Sequence, residues 1–322
     1  MAVSLSIQSP DCLQIRNNEF RFSGIVLPEA TTNNAANRAA RKSCPRMTTI
    51  DNVAALFVSH GAPSLALEDR PARDFLQQLG TQLGRPRAIA VISAHWETDE
   101  VCVSAAAHPT TVHDFCGFAP ALYAMRYNAP GDSTLAHDIA ARLEAAGITA
   151  HTDDQRGFDH GTWMPLTNMY PDADIPVVQI SVCPQQSPLF HWRVGRALAG
   201  LRHKNILVLG SGSMTHNLSD FRAQRHTPAA EQTPAYAEAF CAWVAARIVD
   251  GDSDALIGYR EAAPFATRAH PSPEHILPLH VALGAAGVSW SGERLHHSYM
   301  YGVVAMDCYL FRSGFHPGRA AV

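Results

Sequence analysis

The chain has 322 residues, of which 47% are hydrophobic and 17% charged, enough to bury one sizeable core but too few to favour two full-size domains. Its formal net charge of -4 provides no basic field for a phosphate backbone, which favours a small-molecule partner over a nucleic acid. The 7 cysteines are scattered without a C-x-x-C pair, and the sequence shows no apolar run of about 18 residues and no secretory leader. We therefore expect a cytoplasmic protein with free thiols and no membrane partner.

The chain order of the predicted elements indicates the fold class. Residues 1–46 show no sustained period, so we predict a loosely structured tail there and one folded domain over 47–322. The predicted elements are strand 53–59, helix 72–83, strands 88–93 and 101–105, helix 134–146, strand 176–182, helix 189–201, strand 205–209, helices 234–249 and 274–285, and strand 299–306. Several of these strands are almost wholly apolar, as strands buried on both faces are. The alternation predicts an α/β fold: a single domain with a mostly parallel central sheet flanked by helices.

Three of the 17 histidines follow predicted buried strands. His60 and His95 come directly or almost directly after their strands, and His216 follows a short Gly/Ser turn. Because the carboxyl ends of parallel strands meet at one edge of a sheet, these imidazoles should share a crevice there. His275 opens a predicted helix after a proline-containing approach. Imidazole is a common metal ligand, so we predict a metal site at the carboxyl edge of the sheet.

A structural role is the alternative for each histidine taken singly, since an isolated histidine after a strand more often caps or hydrogen-bonds than ligates. Repetition at one edge favours the metal site. The run Gly210-Ser211-Gly212-Ser213 matches neither a G-x-S-x-G nucleophile elbow nor a phosphate loop with its lysine. We expect its glycines to permit a tight turn that directs His216, and a serine hydrolase is disfavoured.

Six separated motifs resemble one known family in order and spacing. They are SHGAP at 59–63, SAHW at 93–96, HDFCGF at 113–118, FDHGTW at 158–163, MTHNL at 214–218 and PEH at 273–275. The family is that of the class III extradiol ring-cleavage dioxygenases, in its 4,5-DOPA dioxygenase-like (LigB-like) branch. The resemblance runs from about Met47 to near the C-terminus and excludes the tail.

The resemblance implies that 47–322 is an extradiol dioxygenase catalytic domain that binds one divalent metal through His60, His95 and His275. It places His216 beside the metal, as an acid/base group or as a further ligand. Glu274 is a rival ligand to its neighbour His275, because non-haem iron oxygenases commonly use two histidines and one carboxylate.

The resemblance also implies that His160 and His113 line the substrate pocket, where they would bind substrate oxygens. Cys116 and Ala119 stand where many relatives have Gly and Pro, a local departure that touches no proposed ligand.

The implied reaction inserts O2 into a small aromatic diol of the catechol type. An all-imidazole site accepts Zn2+ readily, so we expect zinc to be found bound and Fe2+ to be needed for O2 chemistry. Two alternatives remain: a zinc-dependent hydrolase on the same histidines, and a non-catalytic metal-binding relative.

Overall fold

The computed structural model describes residues 53–225 and 232–314. The predicted tail 1–46 lies outside the described residues and stays a prediction. Within the described ranges, no helix is both long and apolar enough to span a membrane. The five cysteines described there are all free thiols.

An eight-stranded mixed sheet forms the centre of the fold, in the order β4-β3-β5-β2-β6-β1-β10-β7. Its strands are β1 Ala55–Ser59, β2 Ala88–Glu97, β3 Val101–Ser104, β4 Ala150–Asp153, β5 Val177–Val182, β6 Ile206–Gly212, β7 Trp290–His296 and β10 Cys308–Ser313. The four inner strands β5, β2, β6 and β1 are parallel to one another. Strand β3 runs antiparallel to β5, and β10 runs antiparallel to both β1 and β7. A separate hairpin pairs β8 Tyr299–Met300 with β9 Val304–Ala305.

Helices cover both faces of this sheet. They are α1 Pro71–Leu83, α2 Pro120–Ala124, α3 Ser133–Ala145, α4 His160–Met169, α5 Pro188–Leu198, α6 Leu218–Gln224, α7 Ala235–Asp250, α8 Ser253–Ile257, α9 Tyr259–Ala262, α10 Ala266–Ala269 and α11 Leu277–Ala286. Alternate residues of β1 enter different cores: Phe57 packs with the core of α3, α5, α7 and α11, whereas Leu56 packs with that of α1 and α4. Burial on both faces explains why the inner strands are mostly apolar. The predicted α/β fold with a mostly parallel sheet is confirmed.

Four predictions about local structure are wrong, and the first three concern the bounds of an element. The predicted strand 299–306 is instead the short β8–β9 hairpin, because Tyr301 adopts a left-handed φ of 52° and turns the chain. The helix predicted from 274 begins at Leu277, so His275 lies in the turn before α11. His95 does not follow its strand but lies inside β2, which has an irregular register between Ile92 and Glu97.

The Gly/Ser run is not a tight turn, since Gly210, Ser211 and Gly212 continue β6. A Cβ atom at Gly212 would overlap the backbone oxygen of His275, and one at Gly210 would overlap that of Pro278. The glycines therefore permit close approach of the segment leading into α11. This contact brings His275 to the end of β6.

Candidate metal centre

The Nε2 atoms of three histidines converge where the inner strands end. His60 directly follows β1, His95 lies near the end of β2, and His275 precedes α11. The Nε2 atom of His95 lies 3.0 Å from that of His60 and 3.2 Å from that of His275. The rings of His60 and His275 are almost entirely buried, whereas the His95 side chain is 20% exposed. One side of the cluster is therefore open to the crevice.

Carboxylates stand behind two of these imidazoles. Oε1 of Glu274 accepts hydrogen bonds from Nδ1 of His275 and from the Ser272 hydroxyl, each at 3.0 Å. Oδ2 of Asp114 lies 3.4 Å from Nδ1 of His95. Although burial opposes it, contacts with neighbouring histidines hold the pKa values of Asp114 and Glu274 well below their usual range. Both groups are therefore ionised acceptors.

These carboxylates determine where the histidine protons are. An ionised carboxylate can only accept, so Nδ1 of His275, hydrogen-bonded to Glu274, carries the proton of that ring. The 3.4 Å contact of Asp114 with Nδ1 of His95 favours the same tautomer there, and both rings then present Nε2 lone pairs. Burial, reinforced by neighbouring imidazoles, lowers the pKa of His95 and brings that of His275 to about 3, which keeps both rings neutral. Two lone pairs that face each other at 3.2 Å repel unless a cation lies between them.

The spacing also fits a metal ion. Ligand nitrogens about 2.1 Å from an ion are about 3.0 Å apart at right angles and about 3.4 Å apart in a tetrahedron, and the two observed separations of 3.0 and 3.2 Å lie in this range. Glu274 lies on the Nδ1 side of His275, where it orients the ring. Carboxylates behind ligating histidines are a common feature of metal sites.

His216 lies beside this cluster rather than in it. Its ring stacks on that of His275, with the centroids 3.4 Å apart and the planes within 12° of parallel. Its Nδ1 lies 3.4 Å from the same Glu274 oxygen that His275 contacts. An imidazole lone pair lies in the ring plane, so two parallel stacked rings do not readily direct their lone pairs at one ion, although ligand atoms of His216, Glu274 and His275 lie within 4.8 Å of one another. The stacked arrangement favours an acid/base role for His216 over a fourth ligand.

His160 occupies the first position of α4. Asp159 caps this helix by accepting from the Thr162 backbone N–H at 3.2 Å. The His160 ring lies 3.8 Å from that of His95, and its Nδ1 makes a 3.0 Å ion-pair contact, without hydrogen-bond alignment, to Oδ1 of Asp114. Burial alone would lower the pKa of His160, but Asp114 outweighs it and raises that pKa. His160 is thus the histidine here best suited to carry a proton.

His113 also lies outside the histidine cluster. Its Nε2 lies 3.1 Å from the backbone oxygen of Met125. The ring of Phe115 stands between it and the cluster, 5.8 Å from His113 and 5.6 Å from His160. Tyr123 lies 5.2 Å from Phe115, so an aromatic wall borders the site.

Comparison with known proteins identifies the family. The family described as "Catalytic LigB subunit of aromatic ring-opening dioxygenase" matches residues 54–311. The chain belongs to the LigB family. Its members open aromatic rings, so the chain is an extradiol ring-opening dioxygenase, as the six motifs implied.

Several relatives of this chain have names that specify a reaction. A Beta vulgaris protein named "4,5-DOPA dioxygenase extradiol" is 39% identical over 272 residues, covering 83% of this chain and 100% of that protein. An Escherichia coli K12 protein of the same name is 39% identical over 242 residues, covering 74% of this chain and 86% of its own. The crystal structure of an uncharacterized Escherichia coli K12 protein matches with a TM-score of 0.66 at 33% identity, covering 80% of this chain and 98% of that one.

The sequence did not reveal the groups behind the histidines. Asp114 stood within a motif, but nothing in the motif showed that its carboxylate contacts both His95 and His160. The sequence indicates Glu274 only as a rival ligand to His275. The only sequence signal for its role behind this histidine is that Glu274 directly precedes His275, since neighbouring side chains can hydrogen-bond to each other.

Proposed function

We propose that this LigB-family chain uses one divalent metal, held by His60, His95 and His275, to insert O2 into a catechol-type ring and release a ring-opened semialdehyde. The observation that carries the proposal is that Nε2 of His95 lies 3.0 Å from that of His60 and 3.2 Å from that of His275. The His95 and His275 lone pairs that face each other there need a cation.

Redox capability decides which metal supports the reaction. A bound Fe2+ would supply the electron relay between an electron-rich ring and O2, and it would polarise the diol oxygens. Zn2+ suits the same imidazole donors but has no accessible second oxidation state. We therefore propose Fe2+ as the active metal and Zn2+ as an occupant that leaves the enzyme inactive.

Two histidines beside the proposed ligands would handle protons. His216, stacked on His275, would accept a proton from the diol hydroxyl and return it as the ring opens. His160, whose pKa Asp114 raises, would donate a hydrogen bond to developing negative charge on the substrate. His113 would not reach the metal itself; it would pack against Phe115 and so keep the aromatic wall in position.

The substrate class follows from the pocket wall and the relatives. Aromatic rings prefer edge-to-face contacts, and Phe115 presents such an arrangement to His160 at an interplanar angle of 88°. A substrate ring bound beside the histidine cluster would contact Phe115 in this aromatic wall. We propose a DOPA-like catechol, in line with the names of the Beta vulgaris and Escherichia coli relatives, and the cytoplasm as its compartment.

The test is reconstitution of metal-free protein under anaerobic conditions with either Fe2+ or Zn2+. Each form is then given O2 and a panel of catechols that includes DOPA. Oxygen uptake and a yellow semialdehyde should appear with Fe2+ only. Equal uptake by rigorously iron-free zinc protein would contradict the metal assignment. Ester or amide cleavage by the zinc form, without oxygen uptake, would establish the hydrolase instead.

A further inference from the structure

We infer that Ser211 is a positioning residue that fixes the protonation site of His60 and ties this ring to the first turn of α4. The inference rests on the proposed role of His60 as a metal ligand. It concerns the one proposed ligand that has no carboxylate behind it.

Ser211 lies fully buried in β6, between the ends of β1 and β2. Its Oγ is 3.1 Å from Nδ1 of His60. The same hydroxyl donates a short hydrogen bond to the backbone oxygen of Gly161 in α4. One side chain therefore contacts a proposed ligand and the turn that carries His160.

The direction of these hydrogen bonds assigns the proton on His60. A backbone carbonyl can only accept, so the Ser211 proton is committed to Gly161. The lone pairs of Ser211 then face Nδ1 of His60, which must donate its N–H. The Nε2 atom of His60 is left with a lone pair directed at His95, as the metal site requires.

The same argument excludes a Ser–His nucleophilic pair. A nucleophilic serine gives its proton to the histidine and must reach the substrate. The Ser211 hydroxyl gives its proton to Gly161 and has no exposed surface. The pairing of Ser211 and His60 thus serves orientation, not attack.

Close packing makes the link to α4 rigid. A Cβ atom added at Gly161 would lie 2.5 Å from Oγ of Ser93 and 3.1 Å from Cδ2 of His95. The first turn of α4 therefore packs tightly against β2, and the hydrogen bond from Ser211 attaches it to β6. Removing the hydroxyl should loosen His60 and this turn together.

The test compares Ser211→Ala with Ser213→Ala, a matched control in which another buried serine loses a hydrogen bond, here 2.8 Å to the Thr215 backbone oxygen. Zinc dissociation constants are measured on refolded apo-protein by competition with a chromophoric chelator. Ser211→Ala should bind zinc about 10- to 100-fold more weakly, the usual cost of losing a group behind a ligand. Ser213→Ala should match the wild type. Equal affinity in all three proteins would overturn the inference.

A second readout does not depend on affinity. In metal-free protein labelled with 15N-histidine, NMR should show the His60 proton on Nδ1, and Ser211→Thr, which keeps the hydroxyl, should preserve that signal. A His60 proton on Nε2 in the wild type would overturn the inference. Zinc binding by His60→Ala serves as the separate check: if that variant retains zinc, the proposed ligand fails, whereas loss there with no effect in Ser211→Ala removes only the positioning role.

Discussion

Replacement of His216 by alanine should remove turnover and leave the metal in place. The stacked ring contacts one face of His275 and the Glu274 carboxylate, but the 3.0 Å bond from His275 Nδ1 to Glu274 remains without it. The proposed ligand His275 therefore keeps its orientation. Loss of a general acid/base group costs about 10²- to 10⁴-fold in kcat.

Iron occupancy and kcat should be measured on the same preparation of His216→Ala. His137→Ala is a matched control, since that histidine is exposed on α3 and its Nδ1 donates a 2.7 Å hydrogen bond to the Ser133 backbone oxygen. Occupancy should stay at the wild-type level in both variants, with kcat reduced only in His216→Ala. Loss of iron in proportion to activity, with partial rescue by excess Fe2+, would show that His216 is a ligand. Wild-type activity would eliminate both roles.

Three further predictions concern groups around the site and in the core. Burial lowers the pKa of His191, which accepts from the Cys183 backbone N–H, from 6.5 to about 4. Below pH 6.5 the unfolded chain binds a proton on His191 and the folded chain does not, so the free energy of unfolding should fall by up to about 3 kcal/mol as the pH drops towards 4. Urea unfolding at several pH values should show a smaller decrease in His191→Gln. Equal decreases in the two proteins would contradict the assignment. In Gly212→Ala the added Cβ would overlap the His275 backbone, so the free energy of unfolding should fall by about 1–3 kcal/mol and the metal content should fall as well. An unchanged urea midpoint would argue against close packing there. Glu274→Gln should weaken zinc binding about 10- to 100-fold by removing the charge behind His275, and competition titration with unchanged affinity would refute that role.

The sequence predicted the inner strands and the fold class because burial on both faces leaves a continuous apolar run. The two edge strands gave no such signal. Strand β4 has the sequence AHTD and lies half exposed at one edge of the sheet, and β7, WSGERLH, is largely polar at the other. Helix α4 was missed for the opposite reason: nine of its ten residues are buried, so it has no polar face, and Pro165 lies inside it.

The candidate site was only partly predictable. Placement of His60 and His95 at one edge follows from the parallel buried strands, which the apolar pattern indicated. The position of His275 depends on close packing against the glycines of β6, and the roles of all three as ligands stay predictions. The stacking of His216 on His275 depends on how β6 approaches the segment before α11. The distance between β6 and that segment depends on backbone contacts at Gly210 and Gly212, and a pattern of apolar and polar side chains carries no information about such contacts.

The central claim is that three imidazoles hold the metal on which ring opening depends, and metal content tests it most directly. Wild-type protein, His60→Ala and His95→Ala should be loaded with Fe2+ under identical anaerobic conditions, desalted and analysed by mass spectrometry for metal per folded chain. The account predicts one metal per chain in the wild type and near-complete loss in both variants. Stoichiometric metal in both variants would contradict it.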